Sequence, residues 1–146
     1  MSKTVFTSKV EATGSSVERR KHVLCADDHE DTRTMIAYWL DLCGYEVTTA
    51  GSVAEALPLT ERGSFDLLLL DGWYADGLGV DLCKRIRSFD EKTPIVFVSG
   101  YAFPTDIQKG LESGAQAYLT KPVDIDLLEQ TIAELTRSTA PLPPLT

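Results

Sequence analysis

Positive charge is in short supply in this chain. Fourteen Lys and Arg stand against 22 Asp and Glu, a formal net charge of −8. That deficit argues against direct nucleic-acid binding, which calls for a basic face, and leaves protein partners open. Cysteine is scarce too. Cys25, Cys43 and Cys83 are an odd number with no metal-type spacing, so neither a disulfide framework nor a thiolate metal site is indicated. Each falls inside a candidate secondary-structure element, which reads as buried, reduced thiols in a cytoplasmic protein. No apolar run approaches a membrane span, and the N-terminus has no signal-peptide core. Internal repeats are absent as well.

What is present is enough for one domain with a full core, at 146 residues. Residues 1–20 are polar and aperiodic and read as a flexible extension. Residues 138–146 carry Pro141, Pro143 and Pro144, which forbid a helix there. That tail reads as flexible, or as the start of a linker to a further domain. Between them, over 21–137, strand-like and helix-like segments alternate. Strands are expected at His22–Ala26, Glu46–Ala50, Phe65–Leu70, Ile95–Val98 and Ala117–Thr120. Helices are expected at Asp31–Cys43, Ser52–Arg62, Val80–Ser88, Thr105–Ser113 and from Asp124 to about Thr136. In the first helix Met35, Ile36, Trp39, Leu40 and Leu42 fall near helical spacing, Trp39 reads as core, and Gly44 is placed as the C-cap. Pro58 predicts a kink or a short second helix. Four successive leucines, Leu67 to Leu70, read as a strand buried on both faces. Five such units imply an α/β fold, a doubly wound five-stranded parallel sheet with helices on both faces.

In such sheets ligands bind at the carboxyl ends of the strands. Asp27 and Asp28 follow the first strand, Asp71 the third, Ser99 the fourth and Lys121 the fifth. Any one has an ordinary reading: Asp27 a turn former, Asp71 a loop carboxylate or helix cap, Ser99 a turn hydroxyl, Lys121 a solvated lysine. Two adjacent acids, a third acid, a hydroxyl and a lysine on one edge are harder to obtain by chance. Clustered carboxylates repel unless a cation is present. Hard oxygen ligands of this kind suit Mg²⁺, and a carboxylate beside Mg²⁺ and a lysine is a competent nucleophile toward a phosphoryl group. His29 beside the acids reads as an exposed loop residue.

These segments resemble the receiver domain of two-component response regulators over about Lys21 to Thr136. The residues that carry the resemblance are Val23-Leu24-Cys25-Ala26-Asp27-Asp28, Leu70-Asp71, Val98-Ser99-Gly100 and Tyr118-Leu119-Thr120-Lys121-Pro122. It implies a flavodoxin-like strand order 2-1-3-4-5. It also implies that Asp71 is the phosphoacceptor and that Mg²⁺ is held by Asp28 directly, by Asp27 through water, by Asp71 and by the Trp73 carbonyl. Ser99 would be the switch hydroxyl, Tyr118 the switch aromatic and Lys121 the phosphate-binding lysine, with Lys121-Pro122 often cis. A histidine kinase or histidine phosphotransfer protein would supply the phosphoryl group. A downstream protein, or a second copy forming a homodimer, would read the face of the fourth helix, fifth strand and fifth helix. Such a chain is a phosphorylated switch and not an enzyme turning over external substrate.

The chain departs from that family after the phosphoacceptor. Gly72 stands where an apolar residue is usual, and Ala75 stands where proline is usual, which predicts a less preorganised Trp73 carbonyl. Trp73 and Tyr101 flank the site and are expected to restrict the approach of water. The rival within the family is a degenerate receiver that binds partners without phosphorylation. A phosphatase of the haloacid dehalogenase type needs a second acid where Trp73 stands. No DNA-reading, cyclase, phosphodiesterase or kinase segment is legible, so the chain reads as a receiver acting alone.

Overall fold

The structure, a computed structural model, describes residues 20–137. The expected N-terminal extension, Arg20 apart, and the proline-rich tail lie outside the described residues. The elements in chain order are β1 (His22–Ala26), α1 (Glu30–Leu42), β2 (Glu46–Ala50), α2 (Val53–Arg62), β3 (Leu67–Leu70), β4 (Trp73–Tyr74), β5 (Gly77–Leu78), α3 (Gly79–Arg87), β6 (Ile95–Ser99), α4 (Pro104–Glu112), β7 (Ala117–Thr120) and α5 (Ile125–Leu135). The five long strands form one parallel sheet in the order β2-β1-β3-β6-β7. Counting only those five gives the expected 2-1-3-4-5. The two-residue strands β4 and β5 form a separate antiparallel hairpin in the segment expected to be loop.

The four leucines of β3 explain the two-faced core. Successive side chains on a strand point to opposite faces. Leu67 and Leu69 join Val23, Cys25, Val96 and Val98 under Ile36 and Leu40 of α1 and Leu128 and Ile132 of α5. Leu68 and Leu70 join Leu24, Phe97 and Ile95 under Ala56 of α2 and Leu82, Cys83 and Ile86 of α3. All four are essentially inaccessible to water. At roughly 1.5–3 kcal/mol per buried leucine, β3 alone contributes on the order of 10 kcal/mol before chain entropy is subtracted, an upper bound.

Two expectations about α1 and the thiols need correction. The helix buries only Ile36 and Leu40, whereas Met35, Trp39 and Leu42 are exposed, Trp39 at 39%. Residues four apart make a narrow stripe on an α-helix, and neighbours about 100° away turn toward solvent. Cys25 and Cys83 are buried, but Cys43, at the C-cap of α1, is exposed. Burial pushes the Cys25 thiol up to about 12. Gly44 has a positive φ of 98°, as the expected helix stop requires.

Pro58 lies inside the ten residues of α2, on its exposed side. The helix stays short and is secured at its start. Ser52 Oγ accepts from the Glu55 amide at 3.1 Å, and the Asp76 carboxylate accepts from the Val53 and Ala54 amides at 2.9 and 3.0 Å. These bonds satisfy amides that a helix cannot pair internally. Pro58 leaves the Ala54 carbonyl without its i+4 donor. Replacing it with alanine is therefore expected to stabilise the protein by about 1–2 kcal/mol, the helical cost of proline less its unfolded-state benefit. Urea unfolding of Pro58→Ala measures this, and an unchanged or lower midpoint would refute it.

Candidate functional site

Sheet register assembles the site. Ala26 of β1 lies opposite Leu70 of β3, and the ladder closes with the Asp71 amide donating to the Ala26 carbonyl at 3.1 Å. Asp27 and Asp71 therefore leave neighbouring central strands at the same level. Ser99 ends β6 opposite Thr120 of β7, and Lys121 follows, its amide donating to the Ser99 carbonyl at 3.0 Å. From β7 to β3 is two strand spacings, roughly 10 Å, so a long side chain is needed to cross. Lys121 Nζ reaches both acids, at 2.8 Å from Asp27 Oδ2 and 3.2 Å from Asp71 Oδ2.

The electrostatics follow from this packing. Asp27 and Asp71 are buried. Burial, followed by the Asp27 charge, raises the Asp71 pKa against the opposing pull of Lys121 and the Gly72 amide. Burial works against the Lys121 ammonium, but its bonds and charge attraction to Asp27 and Asp71 prevail and raise its pKa. At an effective dielectric of about 20, like charges 4 Å apart repel by about 4 kcal/mol. One ammonium touching both acids supplies two attractions of that order against one repulsion, which is why the pair tolerates its burial.

Asp28 and His29 complete the acidic pocket. Asp28 Oδ1 is buried and accepts no hydrogen bond among the described residues. His29 Nδ1 lies 3.3 Å from it and 3.5 Å from Asp27 Oδ1. Neither approach gives Asp28 Oδ1 a hydrogen bond. Ligand atoms of Asp27, Asp28, His29 and Asp71 lie within 4.8 Å of one another. An orphaned carboxylate oxygen beside two further acids, with one lysine in contact, fits a hard divalent cation such as Mg²⁺. Asp27, Asp28 and Asp71 would hold it. His29 is exposed, as read from sequence, yet its ring rests against the acids.

Asp27 also keeps its ordinary role, its Oδ1 accepting from the His29 amide at 2.8 Å. Ser99 is fully buried, and its Oγ accepts from the Tyr101 amide at 3.1 Å. Gly72 makes room for it, because a Cβ there would stand 2.6 Å from Ser99 Oγ. Gly79 has no such latitude either. Its Cβ would lie 2.1 Å from the Asp71 carbonyl oxygen, a contact the sequence reading did not anticipate. The half-buried Tyr118 ring packs on Phe97 (centroids 5.5 Å apart) and over Gly110, and its hydroxyl donates to the Tyr101 carbonyl. Burial raises the Tyr118 pKa, with the neighbouring Ser99 hydroxyl opposing. Lys121-Pro122 is cis.

The loop after Asp71 is held at many points. Trp73 pairs with Leu78 and Tyr74 with Gly77. The Gly79 amide donates to the Gly72 carbonyl at 2.9 Å, and Asp76 caps α2. The Tyr74 side chain, 1% exposed, turns inward beneath the site. Its hydroxyl accepts from the Asp71 amide at 2.8 Å and donates to the Ala26 carbonyl at 2.9 Å. No sequence motif assigns Tyr74 a role; the aromatic pair Trp73-Tyr74 in an apparent loop is the available signal. The Trp73 ring is exposed at the rim.

The raised Asp71 pKa sets a stability prediction. Below the unfolded-state value both states are protonated and the group costs nothing. As pH rises through the raised folded value, ionised Asp71 costs folding energy. In chelator, Asp71→Asn is expected to melt above wild type by a few degrees at neutral pH, with the gap closing in acid. Thermal melts across that range test this, and a gap that widens toward low pH would contradict it.

The family model described as the response regulator receiver domain matches residues 23–133. The nisin biosynthesis regulatory protein NisR of Lactococcus lactis is 35% identical over 113 residues, covering 77% of this chain and 48% of that protein. The sensor histidine kinase RcsC of Salmonella typhimurium is 35% identical over 111 residues, covering 76% of this chain and 12% of that protein. The chain thus spans less than half the length of these two relatives. Among solved structures, the receiver domain of Francisella response regulator 1452 superposes with a TM-score of 0.77 at 30% identity, covering 81% of this chain and 98% of that one. A single parallel sheet, an acid cluster at its carboxyl edge and a family match across nearly all the described residues agree: the chain belongs to the response regulator receiver domain family.

Proposed function

We propose that this receiver accepts a phosphoryl group on Asp71 and converts it into a change of partner binding. The observation that carries the reading is Lys121 Nζ bridging the Asp27 and Asp71 carboxylates, beside an Asp28 oxygen that has no hydrogen bond. An Asp71 carboxylate oxygen attacks phosphorus and an O–P bond forms while the N–P bond of the donor phosphohistidine breaks; the donor ring, protonated on its other nitrogen, leaves as neutral imidazole. Lys121 follows the charge onto the transferred oxygens. Asp28 directly, Asp27 through water, Asp71 and the Trp73 carbonyl would hold a Mg²⁺, which would supply further neutralisation of negative charge at the site. The donor is a histidine kinase or a histidine phosphotransfer protein.

The output is a population shift. Ser99 donates to the new phosphoryl oxygens, Tyr118 follows it, and the face of α4, β7 and α5 changes for a downstream protein or a second copy. A few kcal/mol of differential interaction is enough for a large shift. The hairpin, the Asp76 cap and the Gly79 contact support this reading over a partner-binding scaffold that is never phosphorylated, since they hold the altered loop in place.

Two outcomes are expected. Acetyl phosphate with Mg²⁺ adds one phosphate to the wild type by intact mass and none to Asp71→Asn, and Lys121→Ala slows the reaction by about a hundredfold. No adduct on the wild type would favour the scaffold. Separately, Trp73→Ala and Tyr101→Ala shorten the life of the phosphoryl group by opening the site to water. Lifetimes equal to wild type would sink that role.

A further inference from the structure

We infer that Tyr74 is a positioning residue that holds the Asp27 and Asp71 carboxylates at metal-binding separation, an inference that rests on the phosphoacceptor reading above. The two acids follow the last paired residues of β1 and β3. Beyond that point, among the described residues, one ladder bond, from the Asp71 amide to the Ala26 carbonyl at 3.1 Å, still ties the strands. Mutual repulsion of the carboxylates acts to splay the strands at this point. Lys121 opposes that splay from above through the side chains.

Tyr74 opposes it from below through the backbone. Its hydroxyl accepts from the Asp71 amide at 2.8 Å and donates to the Ala26 carbonyl at 2.9 Å, so one oxygen clips the residue that carries one acid to the residue before the other. The phenol is deeply buried among Leu70, Ala26 and Phe97, where an unmade hydrogen bond is costly and a made one is firm. Burial raises the hydroxyl's pKa well above the usual tyrosine range, the Asp71 amide opposing and the nearby Asp71 and Asp27 charges adding. The hairpin β4–β5 supplies the leverage. Pairing of Tyr74 with Gly77 and of Trp73 with Leu78 fixes the backbone that aims the ring inward. Position 75, where proline is usual, is Ala75 here, and the hairpin and the Tyr74 phenol hold the loop.

Tyr74→Phe isolates the hydroxyl. The ring remains, and the Asp71 amide and Ala26 carbonyl keep each other as partners, so no buried group is orphaned and the variant folds. The readout is Mg²⁺ affinity, followed by Trp73 fluorescence in a Trp39→Phe background. The dissociation constant is expected to rise by about three- to tenfold, the equivalent of one hydrogen bond. The phosphorylation rate with acetyl phosphate should recover toward the parent's when Mg²⁺ is saturating. Ile86→Val, a core truncation at the end of α3 away from Gly79, serves as a control that loses stability without moving Mg²⁺ affinity. A Tyr74→Phe affinity within twofold of the parent would overturn the inference, as would a loss matched by Ile86→Val. A parent protein that neither responds to Mg²⁺ nor takes up phosphate would instead overturn the phosphoacceptor reading.

Discussion

Two negative charges held side by side at the edge of an apolar sheet set the terms for the rest of this molecule. Asp27 and Asp71 are brought level by the pairing of β1 with β3, and both are buried. In water such a pair would separate. Here the strands beneath them are locked by two layers of aliphatic side chains, so the charges cannot move apart without breaking the core. Lys121, delivered from the edge strand β7, and the Tyr74 hydroxyl, delivered from the hairpin, are two answers to the same repulsion. A third, a divalent cation, is what the orphaned Asp28 oxygen invites.

Seen this way, the core and the site are one system. Burial of Leu67 to Leu70 locks the strands beneath the carboxylates, so an unfavourable electrostatic arrangement persists at the strand ends. The same packing makes the site responsive. Ser99 and Tyr118 occupy space left by Gly72 and Gly110, so on the proposed reading a phosphoryl group on Asp71 would act on groups already in contact with clearances that a larger residue would fill. Rigidity below and room beside are what a switch of this kind needs.

The loop after Asp71 shows how local propensity can mislead. Glycine at 72 and alanine at 75 predict freedom, because neither restricts φ. Tertiary contacts remove that freedom through the cap that Asp76 places on α2, the antiparallel pairing of β4 with β5, and the close approach of Gly79 to the Asp71 carbonyl. None of these is local. A similar lesson holds for Trp39, which helical spacing placed in the core and the sheet left half in solvent, because only one narrow stripe of α1 meets the strands.

The sequence by itself determined the alternation of elements, the two-faced β3 strand and the set of polar residues at the carboxyl edge. Those signals are local: apolar period, helix caps, and the point at which an apolar run stops. Tertiary structure decided which of those residues touch. Register placed Asp27 beside Asp71, strand order set how far Lys121 must reach, and the hairpin turned Tyr74 inward to the Ala26 carbonyl. Hydrogen bonds between residues 48 apart leave no trace in the spacing of either partner, since what joins them is the packing of everything between.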